Sequence, residues 1–265
     1  MQTVTDTAIP ATVRREIEVR LDTIERMHNV RILLAVESGS RAWGFPSPDS
    51  DYDVRFLYVR SRRWYLSLKP GRDVIETPIE DEIDLNGWDI RKALGLLLKS
   101  NAVVSEWIES PIRYRPDHPV VARLTALADR ATDSRGIAHH YANLGSNAAD
   151  RWLKDGGDVP VKKYFYALRP ALAIRCLRLH PDVRPPMNLQ GLVDRCALSV
   201  GVRDEIAALV EAKRQSNERN NATRIAALDT LIRDELSRAG EVAAREVDPG
   251  ADTQAEQLFL ELVDT

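Results

Sequence analysis

The chain has 265 residues, with 37 Lys plus Arg against 40 Asp plus Glu, a formal net charge of -3 and 44% apolar residues. That is globular composition with length for one large domain or two modest ones, and its weakly acidic balance excludes a protein that simply coats nucleic acid, which would carry a basic footprint. No run approaches the roughly 20 apolar residues of a membrane-spanning helix, the N-terminal stretch lacks the apolar core of a secretory signal, and two cysteines, Cys176 and Cys196, are too few for a disulfide framework.

These features predict a soluble, reduced, cytoplasmic protein with two buried free thiols. In chain order, a short N-terminal tail leads into an amphipathic helix over 11–28, with Pro10 just before it. RILLAVESG (31–39) is an apolar, branched run and reads as a buried strand. SRAWGFPSPDS (40–50) reads as a loop. DYDVRFLYV (51–59) divides by the period of two. Tyr52, Val54, Phe56 and Tyr58 share one face, and Asp51, Asp53, Arg55 and Leu57 share the other. The stretches 72–79 and 80–88 are further strand candidates. From Asp89, placed to cap a helix, the pattern is helical, with helices expected at 103–109, 117–131, 135–154, 161–180, 203–215, 219–239 and 253–263. Gly240–Asp252 reads as a linker. The expected organisation is an α/β domain over residues 1–115 followed by a helical, substrate-binding domain over 116–265.

The chemistry lies in Gly39-Ser40 followed by Asp51-Tyr52-Asp53. Residues i and i+2 of a strand point to one face, so two carboxylates project side by side. Such a pair repels unless a cation lies between its members, and oxygen-only ligation suits Mg²⁺ or Mn²⁺ rather than zinc. A Gly-Ser turn lets a backbone N–H and a hydroxyl approach a phosphate. A third carboxylate is expected if two metals are held. Asp84, between Ile83 and Leu85, is the best placed; Glu82 would share its face, and Glu76, Glu80, Asp81 and Asp89 are weaker options. A D-x-D pair alone is common on solvated strands; its combination with the upstream Gly-Ser and the downstream Asp84 points to phosphoryl or nucleotidyl transfer.

The pattern of Gly-Ser, a spacer and D-x-D on the next strand resembles the DNA polymerase β-like nucleotidyltransferase superfamily. Three blocks, GSRAWGFPSPDSDYDVRFLYV, IDLNGWDIRKALGLLLKSNAVVSEWIESPIRY and VKKYFYALRPALAIRCL, resemble more narrowly the RNA-repair-associated family called RlaP. The resemblance implies an α+β fold in which a small α/β domain with a mixed sheet precedes a helical domain. It implies that Gly39 and Ser40 contact the triphosphate of an NTP such as ATP. It further implies that Asp51 and Asp53 ligate two Mg²⁺ (or Mn²⁺) ions and Asp84 the ion nearer the attacking hydroxyl. The implied acceptor is RNA, a tRNA-like or cleaved 3′ end.

Arg41 and Arg55 are further nucleotide-binding candidates from their place beside these motifs, while Trp43 and Phe45 read mainly as loop packing. Between Arg151 and Arg184 the chain has eight Lys or Arg against three Asp. There Lys162, Lys163 and Arg169, interleaved with Tyr164 and Tyr166, form a basic-aromatic surface suited to polyphosphate. Residues 229–265 are acidic, which masks this segment in the net charge. Two other readings stay open: the same chemistry on a protein or small-molecule acceptor, and a catalytically silent nucleotide-binding domain.

Overall fold

A computed structural model describes residues 9–69, 71–153, 157–215 and 221–264. The N-terminal tail before Ile9, and Lys154 and Asp155 of the basic segment, lie outside the described residues. The elements begin with α1 (Ala11–His28), β1 (Val30–Glu37), α2 (Ser40–Trp43), β2 (Tyr52–Arg60), α3 (Arg62–Tyr65), β3 (Val74–Glu76) and β4 (Ile83–Asp89). Helices α4 (Ile90–Leu97), α5 (Ala102–Glu109), α6 (Val120–Ala131) and α7 (Ser134–Trp152) follow. Then come β5 (Val159–Pro160), α8 (Val161–Leu179), α9 (Leu189–Arg195), α10 (Val200–Gln215), β6 (Asn221–Ala222), α11 (Ala226–Ser237) and α12 (Ala251–Asp264).

The fold is α+β with a mixed sheet, as the resemblance implies. Four strands lie in the order β1-β2-β4-β3. β2 is antiparallel to β1 and parallel to β4, and β3 is antiparallel to β4. The period of two in β2 sends its residues to two cores. Tyr52, Val54, Phe56 and Tyr58 pack with Ile17, Leu21 and Ile24 of α1. Leu57 and Val59 pack with residues of α4, α5, α6 and α12. A sheet with helices on both faces results, the layer solution open to strands that are apolar on both sides. Asp89 ends β4 and caps α4, accepting from Arg91 N at 2.9 Å.

Several elements differ from the local reading. The 72–79 stretch yields only three strand residues: Thr77 N still donates to Leu85 O at 3.2 Å, and Pro78, which has no N–H, ends the pairing. Glu82 is not on a strand: it and Asp81 take positive φ (62° and 53°) in the turn before β4. β5 and β6 form a two-residue ladder, too short to show a period. Accordingly α11 starts at Ala226, later than the expected 219.

The described residues group into two compact units. The first contains residues 1–42, 51–131 and 247–265, and the second contains 43–50 and 132–246. This differs from a split at 115/116. Helix α6 belongs with the sheet, and α12 returns to it by burying Ala251, Ala255, Leu258 and Leu262 in the core under β2. The stretch before α12 is not a loose linker: Asp248 N donates to Arg130 O at 3.0 Å, and Asp248 Oδ1 accepts from Gly250 N.

The second unit is built on α8. Tyr164, Phe165, Leu168, Leu172 and Leu177 are buried on it. Close approach of α7 requires Gly145, where a Cβ would lie 2.4 Å from Leu236 Cδ2 and 3.0 Å from Pro170 Cβ. Cys176 and Cys196 are buried free thiols. Among the described residues no helix is long and apolar enough to cross a membrane.

Candidate active site

In the first unit the parallel pairing of β2 with β4 sets Asp53 directly beside Asp84. The structure therefore brings together two of the three sequence-predicted carboxylates, Asp53 and Asp84, from two different strands. Arg55, two residues after Asp53 and on the same face, lies between them. Its Nη2 donates to Asp53 Oδ1 at 3.1 Å and to Asp84 Oδ2 at 2.8 Å. Its Nη1 donates to the Asp84 and Val54 carbonyls, both at 3.0 Å. The guanidinium fork thus offsets the repulsion of two adjacent carboxylates.

Gly39 is placed by β1. Ser38 N donates to Asp53 O at 2.9 Å, which draws the end of β1 against the start of β2. A Cβ at position 39 would lie 1.7 Å from Asp53 Oδ2. Glycine is therefore required there by the Asp53 carboxylate itself, a reason independent of any phosphate contact. Ser40 is buried. Arg41 donates from Nε to Asp51 O at 3.3 Å and stacks over the Tyr52 ring at 4.1 Å. Asp51 precedes β2 and is half-buried, and its carboxylate has no hydrogen-bond or ion-pair partner among the described residues.

Behind these groups stands a carboxylate outside the sequence-predicted set. Glu37, the last residue of β1, is fully buried. Its Oε1 accepts from Asp53 N at 3.0 Å, and its Oε2 accepts from the Tyr114 hydroxyl. Ser110 Oγ donates to the Glu37 carbonyl at 2.6 Å. Burial pushes the Glu37 carboxyl up to about 7, and the nearby Asp53 charge adds to the rise, while the Tyr114 hydrogen bond opposes it. A lone acid ending an apolar run two residues before Gly39-Ser40 is the local signal of this role. Of the residues in the second resembling block, Asn101 caps α5 by accepting from Val103 N, and Trp88 and Trp107 pack at 4.2 Å.

Asp53 and Asp84 offer only oxygen donors, the kind a hard divalent cation takes, while the Arg55 guanidinium now bridges them. Asp51 adds a third carboxylate by sequence. Among the described residues, however, no three His, Cys, Asp or Glu side chains are gathered into a ready-made metal cluster.

In the second unit, α8 holds the other predicted nucleotide-binding residues. Lys163 Nζ lies 5.1 Å from the Trp152 ring centroid and 4.8 Å from that of Tyr166. Lys162 is half-buried on the first turn of α8. Arg169 is buried, stacks over Trp43 at 4.3 Å and donates from Nε to Met187 O at 3.2 Å. Phe45 stacks on Phe165 with centroids 4.1 Å apart. Lys213, also buried, donates to Ser47 Oγ at 2.9 Å, and Ser47 Oγ is 2.9 Å from Ser50 Oγ. The segment 43–50 is thus fixed by stacking, a cation–π contact and a buried lysine, which bears out the packing expected for Trp43 and Phe45.

The chain is 40% identical over 231 residues to the uncharacterized protein YcgL of Bacillus subtilis (strain 168), covering 87% of this chain and 88% of that one. The family described as the RNA repair pathway DNA polymerase beta family, RlaP, matches residues 13–261. A match running from within α1 to within α12 takes in both units and every candidate residue above, so the chain belongs to the RlaP family of polymerase β-like proteins.

Proposed function

We propose that this protein is a divalent-metal-dependent nucleotidyltransferase that adds a nucleoside monophosphate to an RNA 3′ end. The observation that carries this reading is the lateral register of Asp53 and Asp84 on parallel strands, bridged by Arg55, with Gly39 packed against Asp53. Family membership supports it.

In the reaction, the acceptor oxygen forms a bond to the α-phosphorus of the NTP. The α–β bridging P–O bond breaks, its electron pair leaves with pyrophosphate, and the hydroxyl proton passes to water. Asp51, Asp53 and Asp84 would hold Mg²⁺, which when bound supplies charge neutralisation of the triphosphate and activation of the acceptor hydroxyl. Arg55 orients Asp53 and Asp84. Glu37 fixes the Asp53 backbone from behind. Gly39 and Ser40 approach the triphosphate, and Arg41 adds a positive charge beside them. Lys162 and Lys163 are proposed as further phosphate contacts, with Arg169 supporting them through Trp43. Catalysis on this scheme is positioning and charge stabilisation, with no side-chain nucleophile.

The test is incubation of the protein with α-labelled NTPs, Mg²⁺ and total RNA. Label should enter RNA, and Asp53→Ala should abolish it. Label entering protein or a small molecule instead would move the acceptor away from RNA. No NTP consumption with any acceptor would defeat the reading.

A further inference from the structure

Residues 60–72, RSRRWYLSLKPGR, carry five cations and no acid within a chain of net charge -3. This segment lies in the first unit, at the far end of β2 from the candidate site. Seven residues separate Asp53 from Arg60, which at strand rise is about 23 Å. The cations differ in commitment. Arg60 is held, stacking over Trp64 at 4.6 Å and donating to His28 O at 3.0 Å. Arg62 pairs with Asp264 at 3.3 Å, but both side chains are more than half exposed, so the pair exchanges readily. Arg63 and Lys69 are exposed and have no side-chain partner among the described residues. Between them Leu66 and Leu68 are 72% and 101% exposed. Ser61, Arg62, Arg63, Trp64, Leu66 and Ser67 line an open concavity of about 750 Å³.

We propose that this surface docks single-stranded RNA, with Arg62, Arg63 and Lys69 on phosphates and the exposed leucines against base faces. Arg72 pairs with Glu76 at 2.7 Å, and the remaining exposed cations, interleaved with apolar side chains, complement a polymer that alternates phosphates with flat apolar bases. The apolar component is small. Trp64 lies under Arg60 and against Gly71, leaving two leucines, less than membrane-surface binding draws on. The choice of RNA rests on the acceptor proposed above. At about 3.4 Å per stacked nucleotide, 23 Å is about seven nucleotides, so the surface would hold the body of an acceptor whose end reacts at Asp53.

The test uses the full chain and its R62A/R63A/K69A variant, all exposed positions outside the proposed catalytic machinery. Fluorescence anisotropy without Mg²⁺ or NTP reads binding of a labelled RNA of about 20 nucleotides. The variant should bind at least about tenfold more weakly at low salt, with a salt dependence shallower by about two log units per log unit, the release from three phosphates. In transfer assays it should raise KM for the long RNA and leave a trinucleotide, too short to reach, unchanged. Wild-type affinity in a variant that melts like the wild type would overturn the proposal. So would patch-dependent binding to phosphatidylserine vesicles without RNA binding. If the wild type transfers to no RNA while patch-dependent binding persists, the proposed reaction fails and the docking surface stands.

Discussion

Asp53 is crowded by design of its neighbours: Gly39 on one side, Arg55 on another, and Glu37 holding its amide. Gly39→Ala forces a methyl group into the Asp53 carboxylate. Overpacking of this kind costs about 1–3 kcal/mol, so the variant should remain folded, but transfer should fall at least about a hundredfold, at unchanged circular dichroism. Glu37→Ala strips the acceptor from a buried amide and a buried hydroxyl, each worth about 1–3 kcal/mol when unsatisfied. A loss of about 2–5 kcal/mol in urea melts is expected. Glu37→Gln, which keeps one carbonyl for Asp53 N, should recover most of it; a Gln variant as unstable as the Ala variant would show that the charge, not the hydrogen bond, matters. The thiols give a pH prediction. Burial pushes Cys196 up to about 12, helped by neighbouring Cys176, and burial also raises Cys176. Neither should react with iodoacetamide at pH 8 until the protein is unfolded. Above about pH 9, unfolded thiols ionise while Cys196 stays protonated, so the unfolded state binds fewer protons and stability falls as pH rises.

At the scale of elements, local periodicity was enough to read β1, β2, β4 and the long helices, because each carries its own two- or 3.6-residue pattern. The Asp51, Asp53 and Asp84 motif was legible for the same reason: i,i+2 spacing and apolar flanks are local. The lateral register of Asp53 with Asp84 was not, since parallel pairing is decided between distant segments. Glu37 was passed over because a carboxylate ending a strand normally reads as solvated, and only its burial under Tyr114 and Ser110 reveals otherwise. Helix α9 follows Pro185-Pro186 and is seven residues long, too short for a clear period. Helix α12 was legible but not the core it joins, because nothing local in its pattern says that Leu258 and Leu262 pack under β2. Leu258→Ala should cost about 2–5 kcal/mol, the usual range for a buried leucine, as read by thermal or urea unfolding. A cost below 1 kcal/mol would mean α12 is not part of the first unit's core in solution.

Over the whole molecule, five of the ten acids of residues 229–265 are ion-paired with arginines among the described residues. Asp229 binds Arg224 and Tyr164, Glu241 binds Arg238, Glu261 binds Arg123 and Asp264 binds Arg62. Glu235 is buried between Arg175 at 2.7 Å and Arg178 at 2.9 Å. Arg175 and Arg178, two of the eight cations of 151–184, are therefore structural. Glu235→Ala removes the one carboxylate these arginines share and should destabilise by about 3–5 kcal/mol, as for breaking a buried pair from one side. A neutral result in denaturant titrations would show that Arg175 and Arg178 do not depend on Glu235.

The chain order of the two units has a consequence for how the protein is made. Domains tend to fold as units during synthesis, N-terminal parts first. Here the strands bearing Asp53 and Asp84 leave the ribosome early, but their core stays open until Ala251, Ala255, Leu258 and Leu262 have emerged. The helical unit, from 132 to 246 with the already translated 43–50, has all its residues available sooner. A chain cut at the start of α12 would keep α1, α4, α5 and α6 on the sheet but lack the four residues that complete the core under β2.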